Sequence, residues 1–188
     1  MKRYNFIIKI RTVCLLIFCS RLFSLEFQEP FSESKLGKEF YIQRSLKKPQ
    51  INGMIDDSSW MHITPIVDFI QEDPENMEIP TEKTEVYITF DDQALYIAAR
   101  LYDSNPSEIT RQLTTYDDWY GGFDDLADWF RIELDSRHDH QTAFAFAVNA
   151  SGVLYDEMVY HDGDFDSDWN GVWDAEVNID ELGWTIEM

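Results

Sequence analysis

The chain has 188 residues, a formal net charge of −21 at pH 7 and only two cysteines. Its length suits one domain with its own core, and its charge makes nucleic acid and anionic membrane surfaces poor partners. Both cysteines, Cys14 and Cys19, lie near the amino terminus, so the rest of the chain can form no disulfide and no thiolate metal site. Such an acidic chain either binds cations that relieve its charge or presents a solvated acidic surface that gives solubility.

The first 24 residues have the pattern of a secretory signal peptide, with a basic start, an apolar run over residues 13–18 and a small residue at Ser24. The run is too short to span a bilayer as a helix, and the bulky Phe18 argues against lipidation at Cys19. Five of the 15 Lys and Arg residues and none of the 36 acidic residues lie here, so its removal leaves a net charge of −26. We therefore expect an exported protein, with a polar linker over residues 25–39 ahead of a domain over residues 40–188.

Alternating apolar and polar residues predict a series of short β-strands in that domain. The segments with this pattern are 83–90, 94–103, 128–135, 142–150, 153–160, 172–179 and 183–188. Residues 91–93 form a turn and residues 136–140 a short polar connection, so two β-hairpins are expected. The strands 128–135 and 142–150 are expected to be buried on one face only.

Helical signals are few. Residues 56–60 offer N-capping side chains ahead of Trp60, and residues 106–113 suit one or two helical turns. Many short strands with little helix predict an all-β, antiparallel, jelly-roll-like β-sandwich with one or two short helices. The sequence stops inside an apparent strand at Met188, so we expect either a missing strand or a fragment of a longer protein.

Four motifs in order carry a family resemblance: PQINGMIDDSSW (49–60), TEKTEVYITFDDQALYIAARLYDSNP (81–106), DWFRIELDSRHDHQTAFAFAVNASGV (128–153) and DWNGVWDAEVNIDELGWTIE (168–187). The set resembles the family 9 carbohydrate-binding-module-like domain found at the amino terminus of large bacterial envelope proteins, which continue into an outer-membrane-barrel-like region. The resemblance implies a β-sandwich in the periplasm or at the outer membrane, with structural Ca²⁺. It also implies that relatives bind oligo- or polysaccharides beside glycoside hydrolase domains, in carbohydrate catabolism.

The resemblance also points to site residues. Sugar-binding members use aromatic platforms, with a glutamate and an arginine projecting from two neighbouring strands. The matching positions here hold Arg131 and Ala147, so the usual pair is absent, whereas Asn149 matches a polar position. Sugar binding is therefore expected only as one of two outcomes, the other being a structural domain of an outer-membrane β-barrel protein that has lost its sugar site.

The segment TTYDDWYGGFDDLAD, residues 114–128, is too rich in Asp and Gly for a strand, so it is predicted to be a loop. Its rings either form a sugar platform or fold back as a local hydrophobic cap. For the platform we predict Trp119 first, with Tyr120 and Asp118 behind it and Tyr116 nearby. The tryptophans expected to be buried or packed instead are Trp60, Trp129, Trp173 and Trp184.

The stretch HDGDFDSDWNGVWDAE, residues 161–176, concentrates carboxylates. Oxygen ligands at alternating positions suit a hard cation, and Asp166, Asp168, Asn170 and Asp174 have that order. Val177 stands where an EF-hand needs Glu, so this is no EF-hand. The stretch is therefore either a Ca²⁺ site or an exposed acidic loop.

Catalytic motifs are missing from the sequence. It has no HExxH and no Gly-rich phosphate loop, and with 36 acidic residues a chance carboxylate pair carries no weight as a glycosidase signature. His138 and His140 form an HxH in the predicted hairpin turn, which is more typical of a solvated turn than of a metal site. We expect no intrinsic enzymatic activity.

Overall fold

The computed structural model describes residues 40–71, 76–161 and 163–188. The signal peptide, the linker and both cysteines lie outside these residues, so those predictions stay predictions. The strands are β1 Gln43–Arg44, β2 Thr84–Phe90, β3 Leu95–Tyr102, β4 Trp129–Leu134, β5 Ala143–Asn149, β6 Leu154–Tyr160, β7 Asp164–Asp166, β8 Glu176–Asp180 and β9 Gly183–Glu187. A 3-10 turn, Pro106–Glu108, and one helical turn, α1 Trp119–Gly122, interrupt them.

Two sheets contain these strands. One has the order β1-β2-β3-β9-β8 and the other β4-β5-β6-β7. Every pairing is antiparallel except that of the short β1 with β2. Both expected hairpins form, with Val86 opposite Ala99 in β2–β3 and Ile132 opposite Phe146 in β4–β5.

The main core lies between the two sheets. Val86, Leu101 and Ile186 contribute to it from the five-stranded sheet, and Phe130 and Val148 from the four-stranded sheet. Burying a large apolar side chain contributes about 1.5–3 kcal/mol each, so this shared layer is the principal force that joins the sheets. The prediction of an all-β sandwich with little helix is confirmed.

The outer face of the five-stranded sheet carries a second apolar cluster. Trp60 is buried there against Tyr96 and Ala98, and its indole Nε1 donates a hydrogen bond of 2.6 Å to Glu187. The expected burial of Trp60 is thus confirmed. Residues 56–60 begin no helix, however, because the carboxylate of Asp57 accepts the backbone N–H groups of Gln50 and Ser59 and closes a turn instead.

The outer face of the four-stranded sheet carries the third cluster, which comprises Phe123, Trp129, Ala147, Val153 and Tyr155, with Trp119 packed against it. Ala147 belongs to this cluster, and Ala145 is also buried on the outer side of β5, so the expectation that β5 is buried on one face only was wrong. Trp129 and Trp184 are buried and Trp173 packs against the main core, as predicted. No helix within the described ranges is long and apolar enough to cross a membrane.

Candidate functional site

A trough runs across the outer face of the four-stranded sheet. Strand β5 alternates large and small residues, so Phe144, Phe146 and Val148 point into the sandwich and alanines point outwards. Arg131 and Tyr155 flank Ala147 from β4 and β6. One step along the strands, Glu133 and Glu157 flank Ala145 in the same way. Ala145 and Ala147 are buried beneath these charged and aromatic side chains, which therefore form the accessible surface of the trough.

A guanidinium group lies between two carboxylates in this trough. Arg131 Nη2 donates to Glu133 Oε1 at 2.9 Å and to Glu157 Oε1 at 2.7 Å. The Tyr155 hydroxyl donates to the other oxygen of Glu157 at 2.5 Å. The guanidinium therefore links β4 to β6 across β5 by charge-assisted hydrogen bonds.

The pKa values of Arg131 and Tyr155 in this cluster are both raised. Burial acts to lower the pKa of Arg131, but the hydrogen bond and charge of Glu157, together with Glu133, outweigh it and raise the pKa. Burial and the bond to Glu157 raise the pKa of the Tyr155 hydroxyl. Arg131 therefore stays cationic and Tyr155 stays a hydrogen-bond donor throughout the physiological pH range.

Trp119, the first-choice platform residue, lies on α1 at the edge of the trough. Its ring centroid lies 5.3 Å from that of Phe123, 5.2 Å from that of Trp129 and 5.0 Å from that of Tyr155. The Arg131 guanidinium carbon lies 5.8 Å from the centre of the same ring, within the range of a cation–π contact. Trp119 is partly buried, so it joins the local cap and presents only part of its surface to solvent.

The residues around Trp119 differ in how far they are exposed to a ligand and how far their polar groups are used within the fold. The ring of Tyr120 is 82% exposed. Asp118 is the N-cap of α1, because its carboxylate accepts the backbone N–H of Gly121 at 2.9 Å and the hydroxyl of Thr114. Tyr116 donates its hydroxyl to Asp156. Tyr120 is therefore the accessible ring, while Asp118 and Tyr116 hold the segment in shape.

Asn149, the other residue taken from the resemblance, is buried and fully hydrogen-bonded. Its Nδ2 donates to the carbonyl oxygens of Gln112 and Gly122, at 2.8 and 2.7 Å. Its Oδ1 accepts the N–H groups of Ser151 and Val153, at 2.9 and 3.0 Å. These four bonds use its whole hydrogen-bonding capacity in the fold, so it fixes residues 112–122 against β5.

A cavity of about 410 Å³ continues the trough away from Trp119. Its lining residues are Arg131, Glu133, Asp135, His140, Gln141, Thr142, Ala143, Glu157, Val159, Gly163 and Phe165. Phe165 is 57% exposed, so an accessible ring stands in the wall of this cavity. The cavity thus combines an apolar surface with charged groups in fixed positions, the pattern of a small-ligand site.

A larger depression of about 780 Å³ lies between β8 and residues 111–113. Its lining contains one charged side chain, Arg111, and no aromatic ring. It therefore offers polar side chains but no flat aromatic surface for the C–H face of a sugar ring, and the smaller cavity is the better candidate despite its size.

Local hydrogen bonds engage the residues of the predicted cation site in the acidic stretch. Asp166 accepts the N–H of Asp168, Asn170 donates to the carbonyl of Asp168, and Asp174 accepts the N–H of Ala175. In the part of the chain that the structure describes, Asp166, Asp168 and Asp174 do not bring three ligand atoms within 4.8 Å of one another. These contacts suit an exposed acidic loop, and Asp162 lies outside the described residues, so the Ca²⁺ site stays a prediction.

Asp156 is a buried carboxylate that the sequence reasoning missed. It accepts the indole Nε1 of Trp173 at 2.6 Å, the N–H of Gly171 at 3.0 Å and the hydroxyl of Tyr116. It thereby ties the acidic stretch to residues 114–118. Glu133 and Glu157 were missed as well, although the two-residue period of β4 places Glu133 beside Arg131. Finding Glu157 required the register between β5 and β6.

The chain matches no protein-family model, no curated protein and no solved structure significantly. The resemblance to the family 9 carbohydrate-binding-module-like domain therefore stays a prediction, and the functional argument rests on the geometry of the sheet face.

Proposed function

We propose that this domain binds a saccharide in the trough and cavity on the outer face of the four-stranded sheet. The observation that carries the proposal is the Arg131 guanidinium held between Glu133 and Glu157 on the wall of a cavity of about 410 Å³, with the exposed ring of Phe165 in the same wall. No other described cavity combines these elements.

Sugar recognition requires polar groups for the hydroxyls and a flat apolar surface for the C–H face of the ring. The Arg131–carboxylate cluster supplies hydrogen-bond donors and acceptors. Their positions are already fixed by the ion pairs within the cluster, so ligand binding costs less side-chain conformational entropy. Arg131 uses Nε and Nη2 towards Glu133 and Glu157, and no described group bonds to its Nη1. Tyr120 and Phe165 supply the exposed rings.

The negative charge of the molecule favours neutral saccharides over anionic ones as ligands. The cavity wall contributes Glu133, Asp135 and Glu157 against the single cation Arg131, and the whole chain carries −21. Anionic sugars such as uronates or sulfated glycans would be repelled. The proposed ligand is therefore a neutral oligo- or polysaccharide.

The setting of this activity is part of the same proposal and rests on the signal-peptide pattern and the family resemblance. The domain acts as an exported accessory module of a longer bacterial envelope protein, with Ca²⁺ as a structural ion. Any glycoside hydrolysis belongs to a partner domain, and this domain contributes binding.

One observation favours a second function. Trp119 packs on three aromatic rings, and four hydrogen bonds within the fold use all donors and acceptor sites of the Asn149 side chain. These contacts suit a structural domain that kept the fold without a ligand. The two functions differ in whether the cavity takes up saccharide.

The test is calorimetric titration of the purified chain with a panel of neutral oligosaccharides and one uronate oligomer. Saturable binding of a neutral sugar is expected, weakened about threefold to tenfold by Tyr120→Ala or Phe165→Ala, since a ring contact contributes about 0.5–1.5 kcal/mol. Tyr41→Ala is the matched control, because Tyr41 is 96% exposed and lies outside the cavity lining. Absence of binding by folded protein, or equal losses in the control, would favour the structural function.

A further inference from the structure

The turn between β4 and β5 brings together two imidazoles and a carboxylate. Asp135, His138 and His140 each offer a ligand atom, and these atoms all lie within 4.8 Å of one another. No other group of three His, Asp, Glu or Cys residues does so in the described part of the chain. The two imidazole rings meet edge to face, with centroids 4.6 Å apart.

Hydrogen bonds set the course of this turn independently of any ligand. The Asp135 carboxylate accepts the backbone N–H groups of Asp139 at 3.2 Å and His140 at 2.9 Å. Asp139 in turn accepts the N–H groups of Gln141 and Thr142 and the Thr142 hydroxyl, at 2.7–2.9 Å. The backbone that carries both histidines is therefore fixed in advance, and only the exposed imidazoles must rotate to converge.

We propose that Asp135, His138 and His140 form a binding site for a divalent transition-metal ion of the zinc class. Two imidazole nitrogens and one carboxylate oxygen are a three-ligand set that leaves a fourth position for water or another ligand. Imidazole selects Zn²⁺, Cu²⁺ or Ni²⁺, whereas Ca²⁺ and Mg²⁺ prefer oxygen alone. The strongly negative chain raises the local concentration of any cation.

The site lies at the rim of the proposed saccharide cavity, because Asp135 and His140 also line that cavity. The metal proposal does not depend on saccharide binding, because none of the described hydrogen bonds joins its three ligands to Trp119, Tyr120 or the Arg131 cluster. Its probe is the metal ion alone.

The experiment is calorimetric titration of the chain with Zn²⁺, without a histidine tag and with Cys14→Ser and Cys19→Ser, so that thiolates do not compete. One ion per chain is expected to bind, and excess Ca²⁺ should leave the isotherm unchanged. His138→Asn and His140→Asn should each weaken binding at least tenfold, since even outer-shell changes at metal sites cost 10–100-fold. Asparagine is chosen because both positions have positive φ, 53° and 57°, which Asn tolerates.

His161→Asn is the matched control. His161 also has a positive φ, 49°, and its Nδ1 lies 3.5 Å from Asp164, but it belongs to no three-ligand group among the residues that the structure describes. Its variant should bind Zn²⁺ like the parent. A visible absorption band with Co²⁺, lost in His138→Asn, would identify nitrogen ligation in tetrahedral geometry. Absence of Zn²⁺ binding, or equal losses in all three variants, would overturn the proposal.

Discussion

Arg131 and Asn149 are neighbours on the same sheet face, yet they serve different purposes. The side chain of Asn149 uses all its hydrogen-bond donors and acceptor sites in bonds to backbone groups. Arg131 is anchored by carboxylates on β4 and β6 and keeps part of its surface in the trough. Both residues were singled out from the sequence as ligand contacts, but burial and hydrogen bonding separate the structural residue from the residue suited to binding.

Arg131→Met tests the anchored guanidinium. Removing the cation leaves Glu157, whose side chain is 8% exposed, without a counter-charge, so the free energy of unfolding should fall by about 3 kcal/mol. Urea denaturation measures this change. Arg44→Met removes an exposed ion pair with Asp92 and should leave the unfolding midpoint nearly unchanged. Equal effects in the two variants would contradict the account.

Asn149→Ala tests the buried amide. Two N–H groups and two carbonyl oxygens lose their partner, and each unsatisfied buried group costs about 1–3 kcal/mol. A loss of at least about 2 kcal/mol in the free energy of unfolding is expected by thermal or urea denaturation. Asn170→Ala, which loses one exposed bond to Asp168, is the control; a similar loss there would argue against the assigned role.

At the scale of elements, the sequence predicted most strands and the two hairpin connections, but not the conformation of the longer segment 114–128. The two-residue alternation identifies β2 to β6 and β9 because one side of each strand must be buried in the sandwich. Strand β8 overlaps only the second half of its predicted segment, 172–179, and ends one residue beyond it. The outward burial of β5 depends on the segment 114–128 folding over it, which is a contact distant in sequence. The helical turn α1 depends on its N-cap, Asp118, whose carboxylate is oriented by Thr114. The periodicity of apolar residues does not predict this turn.

Gly183 begins β9 at a position that no other residue fits. Its φ is +133°, and a Cβ there would meet the Leu101 carbonyl oxygen on β3. Gly183→Ala should therefore destabilise the fold by more than backbone strain alone, which is about 1–3 kcal/mol. Gly163→Ala is the control, because its φ is +153° with no atom within 4 Å of the added Cβ. Urea denaturation should rank Gly183→Ala as the less stable; the reverse order would contradict the described β3–β9 pairing.

An ion pair links β3 to β8 across β9 and makes stability depend on pH. Burial acts to raise the pKa of Asp180, but the backbone N–H of Leu182 and the Arg100 guanidinium outweigh it and lower the pKa from its ordinary value of 3.8. Asp180 therefore contributes stability above that value, which is lost as the pH falls through the lower folded pKa. Thermal melts of Asp180→Asn and the parent should differ at pH 7 and converge in strong acid. A constant difference at all pH values would contradict this assignment.

At the scale of the whole molecule, negative charge is the dominant long-range force. A net charge of −21 opposes compaction, so added NaCl should raise the melting temperature at pH 7 by screening the repulsion. The control is the same titration near the isoelectric point of about 4.3, where the salt effect should shrink. Destabilisation by NaCl at pH 7 would mean that specific ion pairs outweigh the general repulsion.

The sequence predicted the sandwich as a whole but only part of its candidate site. Arg131 and Tyr120 were named from residue type and resemblance. Glu157, Phe165 and the convergence of Asp135 with the two histidines needed the register of four strands and a turn closed by backbone bonds. Glu157 and Phe165 lie far from Arg131 in sequence, and the Asp135 carboxylate closes the histidine turn through backbone N–H groups, so residue alternation predicts neither arrangement.

The central claim is that saccharide occupies the outer face of the four-stranded sheet. Its most direct test is a titration of the ¹⁵N-labelled chain with neutral oligosaccharides, followed by two-dimensional NMR. The account predicts saturable shifts confined to amides around the cavity and α1, with those of Glu133, Ala143 and Phe165 among the largest. No shifts in a folded sample, or shifts centred on the opposite sheet around Trp60, would contradict it.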